Sequence, residues 1–244
     1  EWFPRHFIQQ LNSMFMCGNL GDPIISKDTL KIFEYLRAVN PRMKLSMHTN
    51  GSAREPSWWK QLAQHRVIVT FGIDGLADTH HLYRISTNFH KIIDNAKAFI
   101  GAGGYAKWHM LVFEHNEHQI DEAKQMSIDL GFKLFTTKNT TRFKDDYFQV
   151  IDEKGKPLHK LRPSEKSKAM KPMMEKASRQ DKPTIICKAK KYNQIYVSAC
   201  GNVSPCCWLD VEWMPPTQPS RMDYMKKINT FPNLYKTSLE EIFA

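Results

Sequence analysis

Three short segments combine a glycine with an acidic or amide side chain, and each follows an apolar run that is typical of a β-strand. They are residues 18–23 (GNLGDP), 49–51 (TNG) and 72–75 (GIDG). Glycine lets the backbone approach a ligand closely, and an acid leaves a carboxylate for the ligand's cationic end. Ligands of open α/β sheets bind at the carboxyl ends of the strands. The spacing therefore predicts one ligand site at that edge of a parallel sheet.

The elements that would position this site alternate regularly over residues 1–136. We predict strands over 13–17, 44–48, 67–73, 108–113 and 133–137, with helices over 7–11, after an N-cap at Ser26, and over 56–64, 88–100 and 119–130. Strand–helix alternation at this spacing predicts βαβ units with right-handed crossovers. The β-branched run at 67–73 indicates a strand that is buried on both faces.

Charge and hydropathy indicate which partners and which cellular compartment to expect. The 244 residues carry a net charge of +10, and residues 133–191 hold 17 Lys/Arg against 7 Asp/Glu. That region either binds an anionic partner or is a solvated connector. No apolar run approaches the roughly 20 residues of a membrane span, and no secretory signal opens the chain, so we expect a cytoplasmic protein without membrane contact.

The chain divides into three predicted regions. Residues 1–137 form the α/β region, residues 138–184 form a basic connector with one short helix at 165–177, and residues 185–244 form an extension with a hairpin that turns at 200–202. A helix opens the chain and would follow an earlier strand. Six parallel strands fit a partial (β/α)6 TIM-like barrel. Both ends fall inside helical patterns, so we expect a truncated sequence.

The ordered segments resemble the radical S-adenosylmethionine (radical SAM) superfamily. LGDP at 20–23 is similar to its GGEP segment, with Leu for Gly and Asp for Glu; TNG at 49–51 matches its TNG; FGIDG at 71–75 is similar to its FSIDG, with Gly72 for Ser. His80-His81-Leu82-Tyr83-Arg84 is similar to its H-x2-YR segment. The resemblance implies SAM-binding residues, which are Gly21, Asp22, Thr49, Asn50, Asp74, Arg84 and Asn116.

The resemblance assigns roles and leaves alternatives. It implies that Asp22 and nearby backbone groups bind the SAM amino group, that Arg84 pairs with its carboxylate, and that Asn116 meets the adenine. Asp74 can instead belong to a βα turn, and Asn116 can instead cap the next helix. We interpret His80 and His81 as turn or surface residues rather than metal ligands.

The family's Cys-x3-Cys-x2-Cys motif, which holds a [4Fe–4S] cluster, is absent from this sequence. Cys17 has no cysteine near it in the sequence and is interpreted as a small buried apolar residue. Either the motif precedes residue 1, which we favour, or the chain is a cluster-free relative.

The other four cysteines lie close together, and without a secretory signal they favour a metal or cluster site over disulfides. Cys187 and Cys206 stand in the pattern CX13GX4C, which resembles the opening of the SPASM or twitch auxiliary-cluster domain. The resemblance implies an iron–sulfur site with Cys187 and Cys206 as ligands, and with Cys207 and Cys200 as further candidates. A four-cysteine zinc site and simple thiols are the alternatives.

The function implied by the resemblance is that of a radical SAM enzyme. In that family SAM is reductively cleaved to a 5′-deoxyadenosyl radical, which abstracts hydrogen from a substrate; here we expect a peptide or protein substrate and an electron donor. One alternative is a cluster-free module that binds nucleic acid or an acidic peptide through residues 133–191. Another is a TIM-type enzyme that uses a different nucleotide.

Overall fold

The computed structural model describes residues 2–18, 21–140, 143, 146–170, 186–207 and 232–243. The chain forms two compact units. The sheet unit comprises Leu11–Gly18 and Asp22–Asp181, and the terminal unit comprises Glu1–Gln10, Asn19–Gly21 and Lys182–Ala244. Leu20 of the first glycine segment and residues 171–177 of the predicted connector helix lie outside the described residues, whereas residues 165–170 are helical.

A five-stranded parallel sheet forms the centre of the sheet unit, and its strands follow chain order. They are β1 (Ser13–Met16), β2 (Lys44–Thr49), β3 (Ile68–Gly72), β4 (Tyr105–Val112) and β5 (Leu134–Asn139). Parallel neighbours need a crossover, and helices supply each one. Helix α1 (Arg5–Gln10) belongs to the terminal unit, and the crossover helices are α2 (Thr29–Val39), α3 (Pro56–Gln64), α4 (His80–Tyr83), α5 (Phe89–Gly101) and α6 (Ile120–Asp129).

The largest side chains of the core pack between one face of the sheet and the helices that cover it. Trp59 of α3, Phe71 of β3, Phe99 of α5 and Trp108 of β4 are all fully buried. The Phe71 ring centroid lies 5.2 Å from that of Trp59 and 6.2 Å from that of Phe99. These contacts fix α3 and α5 against β3 through large apolar areas and edge-to-face ring packing.

The opposite face of the sheet is only half-buried, so the prediction that residues 67–73 are buried on both faces is wrong. Val69 and Phe71 of β3 are fully buried, but Ile68, Thr70 and Gly72 between them are partly accessible. Successive strand residues point to opposite sides, which explains the alternation. Within the described residues, helices therefore cover one side of this sheet more completely than the other.

Element boundaries follow local chemistry. Helix α3 spans the predicted residues because Pro56 occupies its first turn, where a missing N–H costs nothing. The predicted N-cap at Ser26 is wrong. Asp22 begins a 3₁₀ turn at Pro23–Ile25 that ends at Ser26, and α2 starts only at Thr29 with Asp28 as its N-cap.

The segment predicted as a connector contains an antiparallel strand pair, β6 (Phe148–Ile151) and β7 (Pro157–Leu161). The Asp152 carboxylate accepts hydrogen bonds from the backbone N–H groups of Lys154 and Lys156 in the turn between them. Phe113, Val150 and Leu161 form a small buried cluster at this pair. The two strands are short and are joined by a charged turn at residues 152–156 (DEKGK), which conceals this pair in the sequence.

The terminal unit has its own small core. Its two-residue strands, β8 (Tyr196–Val197) and β9 (Val203–Ser204), pair antiparallel and form a shorter version of the predicted hairpin. Helices Lys188–Lys191 and Leu239–Phe243 flank them in the chain. Val203, Leu234 and Leu239 are buried together, with Phe3, Phe7, Ile195, Val197 and Ile242 packed around them.

The α/β class is confirmed by this architecture. In the described part of the chain, β1 and β5 are the edges of an open sheet, and no strand pairing closes it into a barrel. No described helix has both the length and the apolar character that crossing a membrane requires.

Candidate functional site

Asp22 links the ends of β1 and β2. Its Oδ1 accepts a hydrogen bond from the Ile24 N–H at 3.1 Å, which caps the 3₁₀ turn. Its Oδ2 accepts a second bond from the Asn50 N–H at 2.6 Å. These two backbone donors fix the position of the carboxylate beside the β2 end. The remaining lone pairs can accept hydrogen bonds from a cationic ligand.

The Thr49–Asn50–Gly51 turn is shaped by its own side chains. Thr49 Oγ1 accepts a hydrogen bond from the Gly51 N–H at 2.9 Å, and Asn50 Oδ1 accepts bonds from the Ser52 N–H and hydroxyl at 2.9 and 2.7 Å. Gly51 has φ +72°, and a Cβ there would lie 2.7 Å from the Phe71 ring. The turn therefore requires glycine, and it directs the Asn50 N–H at Asp22.

Asp74, after β3, is fully buried and bonded through both oxygens. Its Oδ1 accepts a hydrogen bond from the Leu111 N–H of β4 at 2.6 Å, and its Oδ2 accepts one from Arg84 Nε at 2.6 Å. A buried carboxylate needs such a partner, because an unpaired charge would cost several kcal/mol. Asp74 thus joins β3, β4 and the segment after α4.

Arg84 lies across the end of β3, with 31% of its side chain exposed. A Cβ at Gly72 would be 2.7 Å from Arg84 Nη2, so the missing side chain at residue 72 makes room for the guanidinium. Burial alone would lower the pKa of Arg84, but the charge and hydrogen bond of Asp74, with smaller contributions from Tyr83 and Asp22, raise it. Arg84 uses Nε for Asp74, which leaves the Nη groups oriented for a second, anionic partner.

His80 is a buried neighbour of the Asp74–Arg84 ion pair, so its interpretation as a turn or surface residue is wrong. It is fully buried, and its Nδ1 accepts a hydrogen bond from the Asp74 N–H at 3.1 Å. Nε2 then carries the proton and donates to Thr87 Oγ1, which donates to the Arg84 carbonyl. Burial, followed by the charges of Arg84 and His81, lowers the pKa of His80 to about 4. His81 is exposed.

Asn116 is fully buried, and its side-chain amide forms hydrogen bonds with backbone groups of the protein. Oδ1 accepts a hydrogen bond from the Phe113 N–H, while Nδ2 donates to the carbonyls of Asp74 and Leu111. These bonds tie the loop after β4 to the loop after β3. Contact with an adenine would require exchange of one of these bonds. Asn116 makes no side-chain cap bond to the turn that follows it.

Gly21 precedes Asp22 with φ +144°, a backbone conformation that L side chains rarely adopt. A Cβ there would meet no atom within 4 Å, so its backbone angle rather than crowding explains the glycine.

A row of polar side chains occupies the half-buried face of the sheet, which we call the polar face. Strand register puts its members on the same side, and they are His48, Thr70, Lys107, His109, Thr136 and Lys138. His109 Nδ1 lies 3.0 Å from Thr136 Oγ1. The sequence did not predict this face, because the apolar run at residues 67–73 indicates a strand buried on both faces. The alternation of Lys107 and His109 with buried neighbours in β4 is the signal that could have revealed it.

The candidate cysteines lie in the terminal unit, on either side of a turn at Gly201. In the CX13GX4C pattern, Gly201 has φ +81°, and a Cβ there would lie 2.8 Å from the Tyr235 ring. Cys187 is exposed just before the helix Lys188–Lys191, and Cys206 is half-buried after β9. Cys200 is exposed and Cys207 is half-buried. Among the described residues, no three His, Cys, Asp or Glu side chains are grouped closely enough to hold a metal ion.

Five predicted residues of the sheet unit therefore come together at the carboxyl ends of its strands. Direct bonds join Asp22 to Asn50 and Asp74 to Arg84, and Thr49 shapes the turn between them. The carboxylate of Asp22 and the guanidinium of Arg84 are oppositely charged and near enough for Asp22 to affect the pKa of Arg84. This pairing of charges suits the amino and carboxylate groups of an amino acid.

Comparisons with known proteins give a likeness in structure alone. No protein-family model matches this sequence, and no curated protein matches it. Streptococcus suis SuiB bound to S-adenosylmethionine is similar, with a TM-score of 0.58 and 12% identity over 95% of this chain. The protein anSMEcpe with bound AdoMet gives a TM-score of 0.57 and 15% identity over 98% of this chain. SuiB bound to its precursor peptide SuiA gives 0.56 and 14%.

The chain spans 54% of the length of SuiB and 66% of that of anSMEcpe. At these identities, the likeness shows the fold alone, which is an α/β fold that the chain shares with SuiB and anSMEcpe.

Proposed function

We propose that this chain is the SAM-binding and auxiliary portion of a radical SAM enzyme that modifies a peptide. The proposal rests on two opposite charges at the carboxyl ends of the strands. Asp22 is held there by the Asn50 N–H, and Arg84 is held there by Asp74. The fold that the chain shares with SuiB and anSMEcpe, both solved with SAM, supports it. In this proposal the open sheet belongs to a partial barrel, and the protein is cytoplasmic.

The residues fit SAM through its amino-acid end. Asp22 would accept hydrogen bonds from the amino group, and the Nη groups of Arg84 would donate to the carboxylate. Thr49 and Asn50 keep the Asp22 carboxylate in place by shaping the β2 turn. When bound and given one electron by a donor, SAM would supply the radical that abstracts hydrogen from the substrate, with methionine as the other product. This chain's residues would hold and orient SAM and exclude water. Gly21 and Asn116 are proposed to frame the site.

The sequence contains no Cys-x3-Cys-x2-Cys motif, so its own residues do not fit the SAM cluster, and no step is assigned through that cluster. The reading frame upstream of Glu1 tests the enzyme directly. We expect the motif there, and native sequence without it would overturn the proposal.

SAM binding tests the site itself. Arg84→Lys keeps a charge near Asp74 but loses the paired Nη donors, and Asp22→Asn keeps the shape but removes the charge. We expect each change to weaken SAM binding about tenfold, which corresponds to about 1.4 kcal/mol. Arg42→Lys, at an exposed position, is the matched control and should bind SAM like the wild type. Calorimetry should be accompanied by circular dichroism to establish that each variant is folded. Wild-type protein that binds no SAM contradicts the proposal.

The terminal unit is proposed to hold an auxiliary iron–sulfur cluster through Cys187 and Cys206, with Cys200 and Cys207 as further candidate ligands. The support is the CX13GX4C spacing and the turn that Gly201 imposes. Anaerobic reconstitution with iron and sulfide should yield at most one cluster per chain. Cys187→Ala and Cys206→Ala should lose it, whereas Cys17→Ala should keep it. Two clusters per chain, or tight zinc binding without iron uptake, would contradict this assignment.

The proposal assigns a peptide as the substrate. It is supported by SuiB bound to precursor peptide SuiA, and by anSMEcpe bound to AdoMet and the Kp18Cys peptide at a TM-score of 0.53.

A further inference from the structure

The polar face combines several cationic or imidazole side chains within a small area. His48, Thr70 and Lys107 share one row across β2, β3 and β4, and Gly72 and His109 begin the next row. Neighbouring strands lie about 4.8 Å apart, so a row of three strands spans about 10 Å. Lys138 lies two residues beyond the β5 residue that pairs with His109. Along the strands, the Lys107 and Lys138 positions are four residues apart, which is about 13 Å. This area accommodates one side chain of an extended peptide and its nearest neighbours.

The charges of this face are not neutralised within the described residues. Neither Lys107 nor Lys138 makes an ion pair with a carboxylate in the described part of the chain. Lys107 Nζ instead lies 5.9 Å from the centroid of the Tyr105 ring on the same side of the sheet. The nearby carboxylate of Asp74 is paired with Arg84. The face therefore presents a net positive charge.

Burial and the lysine charges of the polar face lower the pKa values of its two histidines, His48 and His109. Burial lowers the pKa of His48, and His109, Lys107 and Lys138 lower it further. Burial also lowers the pKa of His109, which Asp74 raises, while Lys138 and Arg84 lower it again. Both rings are therefore neutral near pH 7, where they can donate or accept hydrogen bonds beside the two ammonium groups.

We infer that the polar face binds a carboxylate side chain of the peptide substrate, with Lys107 and Lys138 as cationic contacts and His48 and His109 as hydrogen-bonding groups. The inference rests on the proposed function, because it names the substrate class of the same enzyme. The amino-terminal end of the face carries the rings of Phe15 and Tyr105, which are 48% and 46% exposed. They favour a peptide with an apolar residue near its acidic one.

A nucleic acid is a poorer occupant. Two lysines neutralise about two phosphates, and binding to a nucleic-acid backbone depends on many such contacts. A single carboxylate needs only one or two cationic contacts of this kind.

A pair of peptides tests the inference with the full chain. The probe is a short fluorescent peptide that carries one Glu flanked by leucines, and its twin has Gln in place of Glu. Fluorescence anisotropy in about 0.1 M salt should show about threefold to tenfold tighter binding of the Glu peptide by the wild type. Lys107→Gln with Lys138→Gln should abolish that preference. Lys97→Gln, on the exposed side of α5, is the matched control and should retain it.

The outcomes separate this inference from the proposed function. Equal affinity of the wild type for both peptides, or a preference that survives the double substitution, overturns the carboxylate site. A short oligothymidylate that binds more tightly than the Glu peptide, and is lost in the double variant, overturns it in favour of nucleic acid. SAM affinity is measured on the same samples and should not change in the double variant. Failure of the wild type to bind SAM overturns the proposed function alone.

Discussion

Two neighbours determine the position of the Arg84 side chain, one by binding it and the other by leaving space for it. Asp74 holds its Nε by a buried ion pair, and Gly72 provides space for Nη2 by having no side chain. The ion pair fixes the position of Nε, while the space at residue 72 accommodates Nη2. A residue with a side chain at position 72 would therefore alter ligand binding more than it would alter folding.

Gly72→Ala is the prediction that follows. The new Cβ would be 2.7 Å from Arg84 Nη2, and the flexible end of the arginine would move away. We expect SAM binding to weaken about tenfold while the free energy of unfolding changes by less than about 1 kcal/mol. Calorimetric titration and urea unfolding measure the two quantities. Gly101→Ala, where a Cβ meets nothing within 4 Å, should leave SAM binding unchanged. Unchanged SAM affinity in Gly72→Ala would contradict the role of this space.

His80 makes stability depend on pH. Its pKa is about 4 in the folded protein, because of burial and nearby positive charges, against about 6.5 in an unfolded chain. The unfolded state therefore binds the extra proton between these values. The stabilisation is complete above pH 6.5 and is lost as pH falls towards 4, at up to about 1.4 kcal/mol per pH unit.

Urea unfolding at several pH values, followed by tryptophan fluorescence, measures this dependence. His80→Gln should flatten the pH profile by about one proton relative to the wild type. His90→Gln, at an exposed position on α5, should keep the wild-type slope. The pKa of His115 is also lowered to about 4, so some slope remains in both variants. Equal slopes for wild type and His80→Gln would show that His80 is not buried as a neutral ring.

The sequence allowed part of this site to be predicted. Asp22, Asn50, Asp74 and Arg84 follow strand ends in a repeated pattern, and parallel topology brings such ends to one edge. The support from His80 could not be predicted, because burial of a histidine depends on contacts from Asp74 and Thr87 that lie on separate turns.

At the scale of elements, the sheet was predictable in its strands but not in its second face. Pro56 and an amphipathic pattern were sufficient to define α3 at both ends. In contrast, Ile68 and Val69 are equally apolar, and only the register across the sheet shows that they point to different sides. The β6–β7 pair was not predicted because its strands have only four and five residues, and the charged turn between them resembles a loop.

The turn after β2 permits a matched comparison of glycines. Gly51 and Gly103 both have positive φ, but a Cβ meets the Phe71 ring at 2.7 Å at residue 51 and nothing within 4 Å at residue 103. Gly103→Ala should cost about 1 kcal/mol from backbone strain. Gly51→Ala should cost about 1–3 kcal/mol more, because it also forces a buried ring to shift. Urea unfolding measures both changes, and equal costs would mean that the Phe71 contact is relieved without penalty.

At the scale of the whole molecule, the net charge of +10 is concentrated in residues 133–191. Positive charge of this kind attracts any polyanion, so weak binding to nucleic acid is expected at low salt from electrostatics alone. The salt dependence therefore distinguishes a ligand site from general attraction. It also tests the alternative that the chain is a binding module.

We predict that SAM affinity changes little between about 0.05 and 0.2 M salt, because SAM meets a few partly buried groups. Binding to an oligonucleotide should fall steeply over the same range. Titrations at several salt concentrations measure both slopes. Oligonucleotide binding that persists at the higher salt, with no detectable SAM binding, would favour the module over the enzyme.

The half-covered sheet has a consequence for how this fold can change. Core residues such as Phe71 and Trp108 are constrained by close packing on one side, where most substitutions are costly. Lys107 and Lys138 extend from the other side, where exchanges typically alter stability by less than about 0.5 kcal/mol. Ligand preference can therefore drift, or be redesigned, at Lys107, Lys138 and their neighbours while the opposite side preserves the architecture.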